Sequence, residues 1–228
     1  ISGEMGINNF FSFLTAMMLA YQPIRSLATI NMLFYQGAAG AETVFKILDT
    51  EPNIKEIDSY PNLEINTGDI EFKNVSFVYP KTTADAVKNI NISIKGGSTT
   101  ALVGHSGAGK STIINLLPRF FDPREGEIHI DGQNISAVTL SSLRKNISMV
   151  SQDIILFDDT VRANIAYAKL DASEKQIKEA CDFAAASDFI EALAKSYETM
   201  IGENGIKLSG GQKQRISIAR AVLKNSPI

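Results

Sequence analysis

Nine residues near the middle of the chain constrain its fold most: Gly104-His105-Ser106-Gly107-Ala108-Gly109-Lys110-Ser111-Thr112. They satisfy the spacing G-x-x-x-x-G-K-[ST]. The apolar run TTALVG (99–104) precedes them and STIINLL (111–117) follows. A strand, a glycine-rich loop and a helix in that order are the context in which the pattern binds phosphate. Glycines let successive backbone N–H groups turn towards one anion, and the helix start adds positive potential. Lys110 is placed to reach the β- and γ-phosphates, and the Ser111 hydroxyl to ligate Mg²⁺. His105 sits at a variable position of the pattern and is read as a tolerated residue, not a base.

The surrounding sequence alternates strand-like and helix-like runs from about Asp69 onward. Candidate strands are 70–79, 90–94, 99–104, 127–130 and 147–150; candidate helices are 109–117, 139–145, 173–184, 187–195 and 211–224. Such alternation predicts an α/β fold with a parallel-sheet core. The earliest strands add an antiparallel portion.

The N-terminal stretch has a different texture. From Met5 to Ile24 there are 20 residues without a charge, and after Arg25 another 16 before Glu42. A helix of about 20 residues spans a bilayer core, so a transmembrane helix is expected here, continuing past Pro23 as a cytoplasmic extension that ends near Asp49. The rival expectation is a helix buried in a soluble protein. Residues 51–68, with two prolines and mixed charge, read as a linker.

Composition excludes several classes. The chain has 22 Lys+Arg against 25 Asp+Glu and no basic block, so nucleic-acid binding has no support. The lone Cys181 forms no internal disulfide, which suits a reducing compartment. Two histidines, His105 and His129, are too few for a histidine-based metal site.

A second glycine-bearing turn, Leu208-Ser209-Gly210-Gly211-Gln212, runs straight into KQRISIARAVL. This too is a helix start suited to an anion, with Ser209 as a side-chain donor. Taken alone, a Ser-Gly-Gly turn is usually only the beginning of a helix. Two such starts about a hundred residues apart suggest that the second serves a nucleotide held by another copy of the chain.

LSGGQ following a P-loop resembles the signature of ABC ATPases, and the resemblance covers nearly the whole chain. Residues 69–228 look like an ABC nucleotide-binding domain, an α/β P-loop NTPase with an antiparallel β portion and a helical subdomain. Residues 1–50 look like the last membrane helix of an exporter. The stretches PIRSL, LFDDTVRANIAYA, IGENGIKLSGGQKQR and KNSPI resemble the MsbA-type lipid-A flippase and multidrug branch of half-transporters. The resemblance implies ATP and Mg²⁺ as cofactors. It places adenine stacking on Tyr79 and assigns Gln152 to Mg²⁺ and the attacking water. It implies a homodimer with composite sites, each made of 104–112 of one copy and 208–212 of the other.

It also implies a multi-pass protein of the inner membrane, its nucleotide-binding domain cytoplasmic, moving a lipid or hydrophobic compound. Many exporters carry Arg at the position of Asn204. The family's Walker B strand, with its catalytic Glu, and its switch histidine are expected beyond Ile228, so Lys110 and Gln152 are the only catalytic candidates. The alternative reading is an ABC-type ATP-binding clamp or regulatory module without transport.

Overall fold

The computed structural model describes residues 6–80 and 82–228, apart from the side chain of Ala28. The chain divides into two compact units, one ending at Asn53 and the other running Ile54–Ile228.

Among the described residues, the first unit holds one helix, α1 (Ile7–Leu48), which continues through Pro23 and is closed by Asp49, whose N–H bonds the Phe45 carbonyl at 2.8 Å. The hydroxyls of Thr15, Thr29 and Thr43 donate to the carbonyls four residues back, which satisfies them without outside partners. Large apolar side chains are exposed on every side, among them Phe10, Phe13, Met18, Leu33 and Phe34.

The expected transmembrane span is not found: no helix among the described residues is long and apolar enough to cross a membrane. Absence of charge is not the same as apolarity. Asn8 and Asn9 on one side, and Tyr21, Gln22 and Pro23 on the other, confine the apolar run to 10–20. Eleven helical residues rise only about 16 Å, roughly half the hydrocarbon thickness.

The second unit has a sheet layer and a helical layer. Strands β1 (Ile70–Phe77), β2 (Val87–Ile94), β3 (Glu125–Ile130) and β4 (Gln133–Asn134) form one sheet in the order β2-β1-β3-β4. Their alternating side chains bury Val75, Ile128 and Ile130 against Leu116 of α2 (Lys110–Leu116) and Leu143 of α3 (Leu140–Lys145). The second core joins α4 (Val161–Ala166), α5 (Glu174–Phe183), α6 (Ser187–Glu191) and α7 (Gly210–Lys224) around Val161, Ile165, Cys181, Ile190 and Ile216.

The predicted parallel core sheet is corrected by the pairing. Every ladder among the described residues is antiparallel, and 99–104 and 147–150 lie outside the strands. The physical reason is a lack of neighbours with which to share backbone hydrogen bonds. Val103, in the run expected as a strand of that sheet, is 89% exposed. One trace of parallel pairing exists. The Ile228 N–H bonds the Asn146 carbonyl at 3.2 Å and the Ser148 N–H bonds the Ile228 carbonyl at 2.7 Å, the two bonds of a single parallel rung opposite Ile147.

Within residues 51–68, expected as a linker, the stretch from Glu56 onward is tied along the second unit. Asp131 accepts from the N–H groups of Asn66, Thr67, Gly68 and Asp69 and from the Thr67 hydroxyl. Those donors, the Thr67 hydroxyl foremost, hold its carboxyl well below the usual carboxylate range.

Candidate functional site: a phosphate-binding loop and a glycine-led helix

The loop before α2 has the shape that its glycines permit. Gly107 and Gly109 take φ of +80° and +85°, the left-handed region that favours glycine. At Gly109 a side chain is also excluded by space, since a Cβ would meet Val87 Cγ1 at 2.6 Å and the Ala86 carbonyl oxygen at 2.7 Å. The start of β2 therefore backs the loop. Among the described residues, the N–H groups of Gly107, Gly109, Lys110 and Ser111 donate to no protein acceptor. That leaves an arc of open donors at a helix start, suited to an anion.

Lys110 Nζ donates to the carbonyls of Gly104 at 2.9 Å and His105 at 2.8 Å, which pins the ammonium across its own loop. His105 and Ser106 are exposed at the loop's rim, beside Ala108, whose N–H closes back on the His105 carbonyl at 3.2 Å.

Tyr79 and Thr112 meet directly. The Tyr79 hydroxyl lies 3.1 Å from Thr112 Oγ1, with Thr112 buried in the first turn of α2. The Tyr79 ring packs edge-on against Phe77 and Phe121, with centroids 4.8 and 5.3 Å away. This half-buried ring is thus held at the flank of the phosphate loop. The sequence suggested Tyr79, but its bond to Thr112 carried no signal in the spacing.

Ser111 and Gln152 line one cleft of about 480 Å³ together with Asn115, Asp153 and Gln214. Asp153 and Gln214 were not foreseen as neighbours of Ser111; only folding brings them beside it. The donor set of a hydroxyl, an amide carbonyl and a carboxylate is all oxygen, the chemistry that Mg²⁺ takes. Gln152 also lines a second cleft of about 340 Å³ with Lys213 and Gly210.

The turn at 208–212 is built as a helix cap. Leu208 is buried, and Ser209 caps α7: its hydroxyl accepts from the Gln212 N–H at 3.3 Å while Gln212 Oε1 accepts from the Ser209 N–H at 2.8 Å. This capping box is the structural role that a Ser-Gly-Gly turn ordinarily has. It spends an acceptor lone pair of Ser209 and leaves the hydroxyl proton to donate. Gly210 and Gly211 face open space, with no atom within 4 Å of where a Cβ would stand. Within the chain, the segment 208–212 makes no hydrogen bond to 104–112 among the described residues.

Neighbouring features have structural causes. Asn204 takes φ of +50°, a conformation that Asn tolerates better than most residues, and its carbonyl accepts from Lys213 Nζ at 2.8 Å. Asn164, fully buried, bonds the N–H and carbonyl of Phe157 and the carbonyl of Thr160, fixing the loop after Gln152. Cys181 is fully buried, and burial pushes its thiol up to about 11, so it is no nucleophile near neutral pH.

The sequence profile of the ABC transporter family matches residues 87–228, a span that contains the phosphate loop, Gln152 and the glycine-led helix. The chain belongs to the ABC transporter family. It is 50% identical, over its whole length, to the ATP-dependent lipid A-core flippase of Syntrophus aciditrophicus (strain SB), of which it spans 38%. It is 49% identical over 96% of its length to the flippase of the same description from Escherichia coli (strain K12), spanning 37% of that protein. Among solved structures, a bacterial Atm1-family ABC exporter with ATP bound superposes with a TM-score of 0.81 at 41% identity, covering 92% of this chain and 36% of the exporter. This ABC chain therefore spans about two-fifths of the length of the relatives it matches, and it shares their ATP-binding fold.

Proposed function

We propose that this chain is the ATP-binding and hydrolysing part of an ABC exporter that moves a lipid or other hydrophobic compound across a membrane. The arc of open N–H donors around Lys110 is the observation that carries the reading, because four backbone donors and an ammonium at one helix start suit the phosphates of a nucleotide. The donors at 107–111 hold the β- and γ-phosphates and Lys110 neutralises their charge. Tyr79 stacks on the base. Ser111 and Gln152 are the residues that would hold Mg²⁺, which supplies charge neutralisation between the phosphates when bound. Gln152 orients the attacking water. Phosphoryl transfer needs little beyond such positioning and charge stabilisation.

In the same reading, two copies of the full-length protein pair so that the open face at Gly210 and Gly211 of one meets the nucleotide on 104–112 of the other. The protein resides in the inner membrane, with membrane-crossing segments outside α1. A lipid of the lipid A-core class is the cargo that the relatives' descriptions favour.

The test uses the full-length protein. Lys110→Ala is expected to abolish ATP turnover, and phosphate release at the wild-type rate would sink the assignment. Mixed dimers address the pairing: with Lys110→Ala in one subunit and Gly210→Asp in the other, both defects fall on one composite site and the second still binds ATP. No binding at either site would show that each subunit completes its own.

A further inference from the structure

Helix α3 has only six residues, too few to hold its place by helical propensity, so the core packing of Leu140 and Leu143 and the bonds at its two ends hold it. Its N-terminal end is bonded to residues 56–63, near the start of the second unit. Glu56 accepts from the Leu140 N–H at 3.0 Å and the Ser141 N–H at 2.9 Å, one carboxylate oxygen for each. Thr139 Oγ1 donates to Asn62 Oδ1 at 2.8 Å, and the Leu63 N–H donates to Ser142 Oγ at 2.8 Å.

The C-terminal end of α3 holds two other helices. Arg144 forks onto the carbonyls of Pro118 at 3.1 Å and Arg119 at 3.0 Å, just past the end of α2, the helix that begins at the phosphate loop. Lys224, the last residue of α7, puts its ammonium on the carbonyls of Arg144 at 2.6 Å and Ile147 at 2.5 Å. A cation on the last carbonyls of a helix is favourable electrostatically as well as by hydrogen bonding. The far end of α7 is the glycine-led turn at 208–212.

We propose that α3 is the joint through which residues 56–63 hold the phosphate-loop helix and the glycine-led helix in fixed relation, and that Glu56, Arg144 and Lys224 are positioning residues for ATP turnover. The inference rests on the ATP reading above. None of the three touches the open N–H arc, so a loosened joint leaves nucleotide affinity intact. What it disturbs is the simultaneous placement of the two elements on which turnover depends.

The experiment measures ATP turnover of the full-length protein with Glu56→Gln, with Lys224→Met and with both, beside Lys110→Ala. Each single variant is expected to lower kcat about fivefold while KM for ATP moves less than about twofold. Because both act through one helix, the double variant is expected to be no slower than the slower single. Wild-type kcat in either single overturns the proposal, as does a double variant whose loss is the product of the two. A rise in KM matching the fall in kcat, or a fall in kcat explained by loss of melting temperature, overturns it too.

If a variant does not fold, Arg144→Lys is the second arm. It keeps the charge and one carbonyl bond, its kcat is expected to fall between wild type and the fivefold loss, and wild-type turnover overturns the joint. If Lys110→Ala abolishes turnover and Glu56→Gln leaves it untouched, only the positioning role falls; if Lys110→Ala turns over ATP normally, both readings fall.

Discussion

Tyr79 shows how far a single residue can be read. The resemblance to ABC ATPases implied a stacking ring, and the structure supplies two separate handles on it: a hydroxyl bonded to Thr112 and a ring braced by Phe77 and Phe121. The two can be tested apart. Tyr79→Phe keeps the ring and is expected to hold ATP affinity close to that of wild type. Tyr79→Ala removes a stacking surface worth about 1–3 kcal/mol, so the dissociation constant for ATP should rise about fivefold or more by equilibrium titration. Equal affinities for the two variants would take the ring out of the site. Lys110 was legible because its spacing to Gly104 is fixed by chemistry. Asp153 and Gln214 were not, since only tertiary packing brings them beside Ser111.

Among the elements, those with strong local signals were the ones read most closely. The helix expected at 211–224 is α7 (Gly210–Lys224), and that expected at 173–184 is α5 (Glu174–Phe183); both begin with a capping box visible as Ser-x-x-Gln. Helix α4 was missed because Thr160 caps it by itself and its six residues cover less than two turns, too few for a periodic pattern to stand out. The strands at 99–104 and 147–150 failed for a different reason: a strand is a property of a pair, and pairing is not local. The join of the phosphate loop to β2 gives an element-scale prediction. Gly109→Ala would force a Cβ against Val87 and the Ala86 carbonyl at a positive φ. It should lower both the melting temperature and ATP affinity of the full-length protein. A variant that melts and binds like wild type would show that the loop does not rest on β2.

Across the whole molecule, the most telling feature is apolar surface without cover. Val103 is 89% exposed beside an unpaired backbone, and α1 carries exposed Phe and Leu side chains on every side. Contiguous apolar surface of that kind is an aggregation liability unless something packs on it, and unpaired strand edges are templates for pairing with other chains. Residues 1–228 made alone should therefore self-associate and lack a cooperative melt, while the full-length protein should melt cooperatively. A monodisperse, cooperatively melting 1–228 would show that these surfaces are covered from within. The sequence revealed which runs were apolar. It also holds the reason that 10–20 is too short to cross a bilayer, since the flanking Asn and Gln residues are uncharged yet polar, and hydropathy rather than charge decides.

Gly210 and Gly211 open a helix where nothing crowds them. Alanine in a helix is favoured over glycine by about 0.5–1 kcal/mol. Folding alone would thus prefer alanine at both places. In a mutational library sorted first for abundance and then, on the proposed reading, for ATP turnover, alanine should gain in the first sort and lose in the second. The gap between the two rankings would measure how closely another molecule must approach that surface, without any view of the molecule itself.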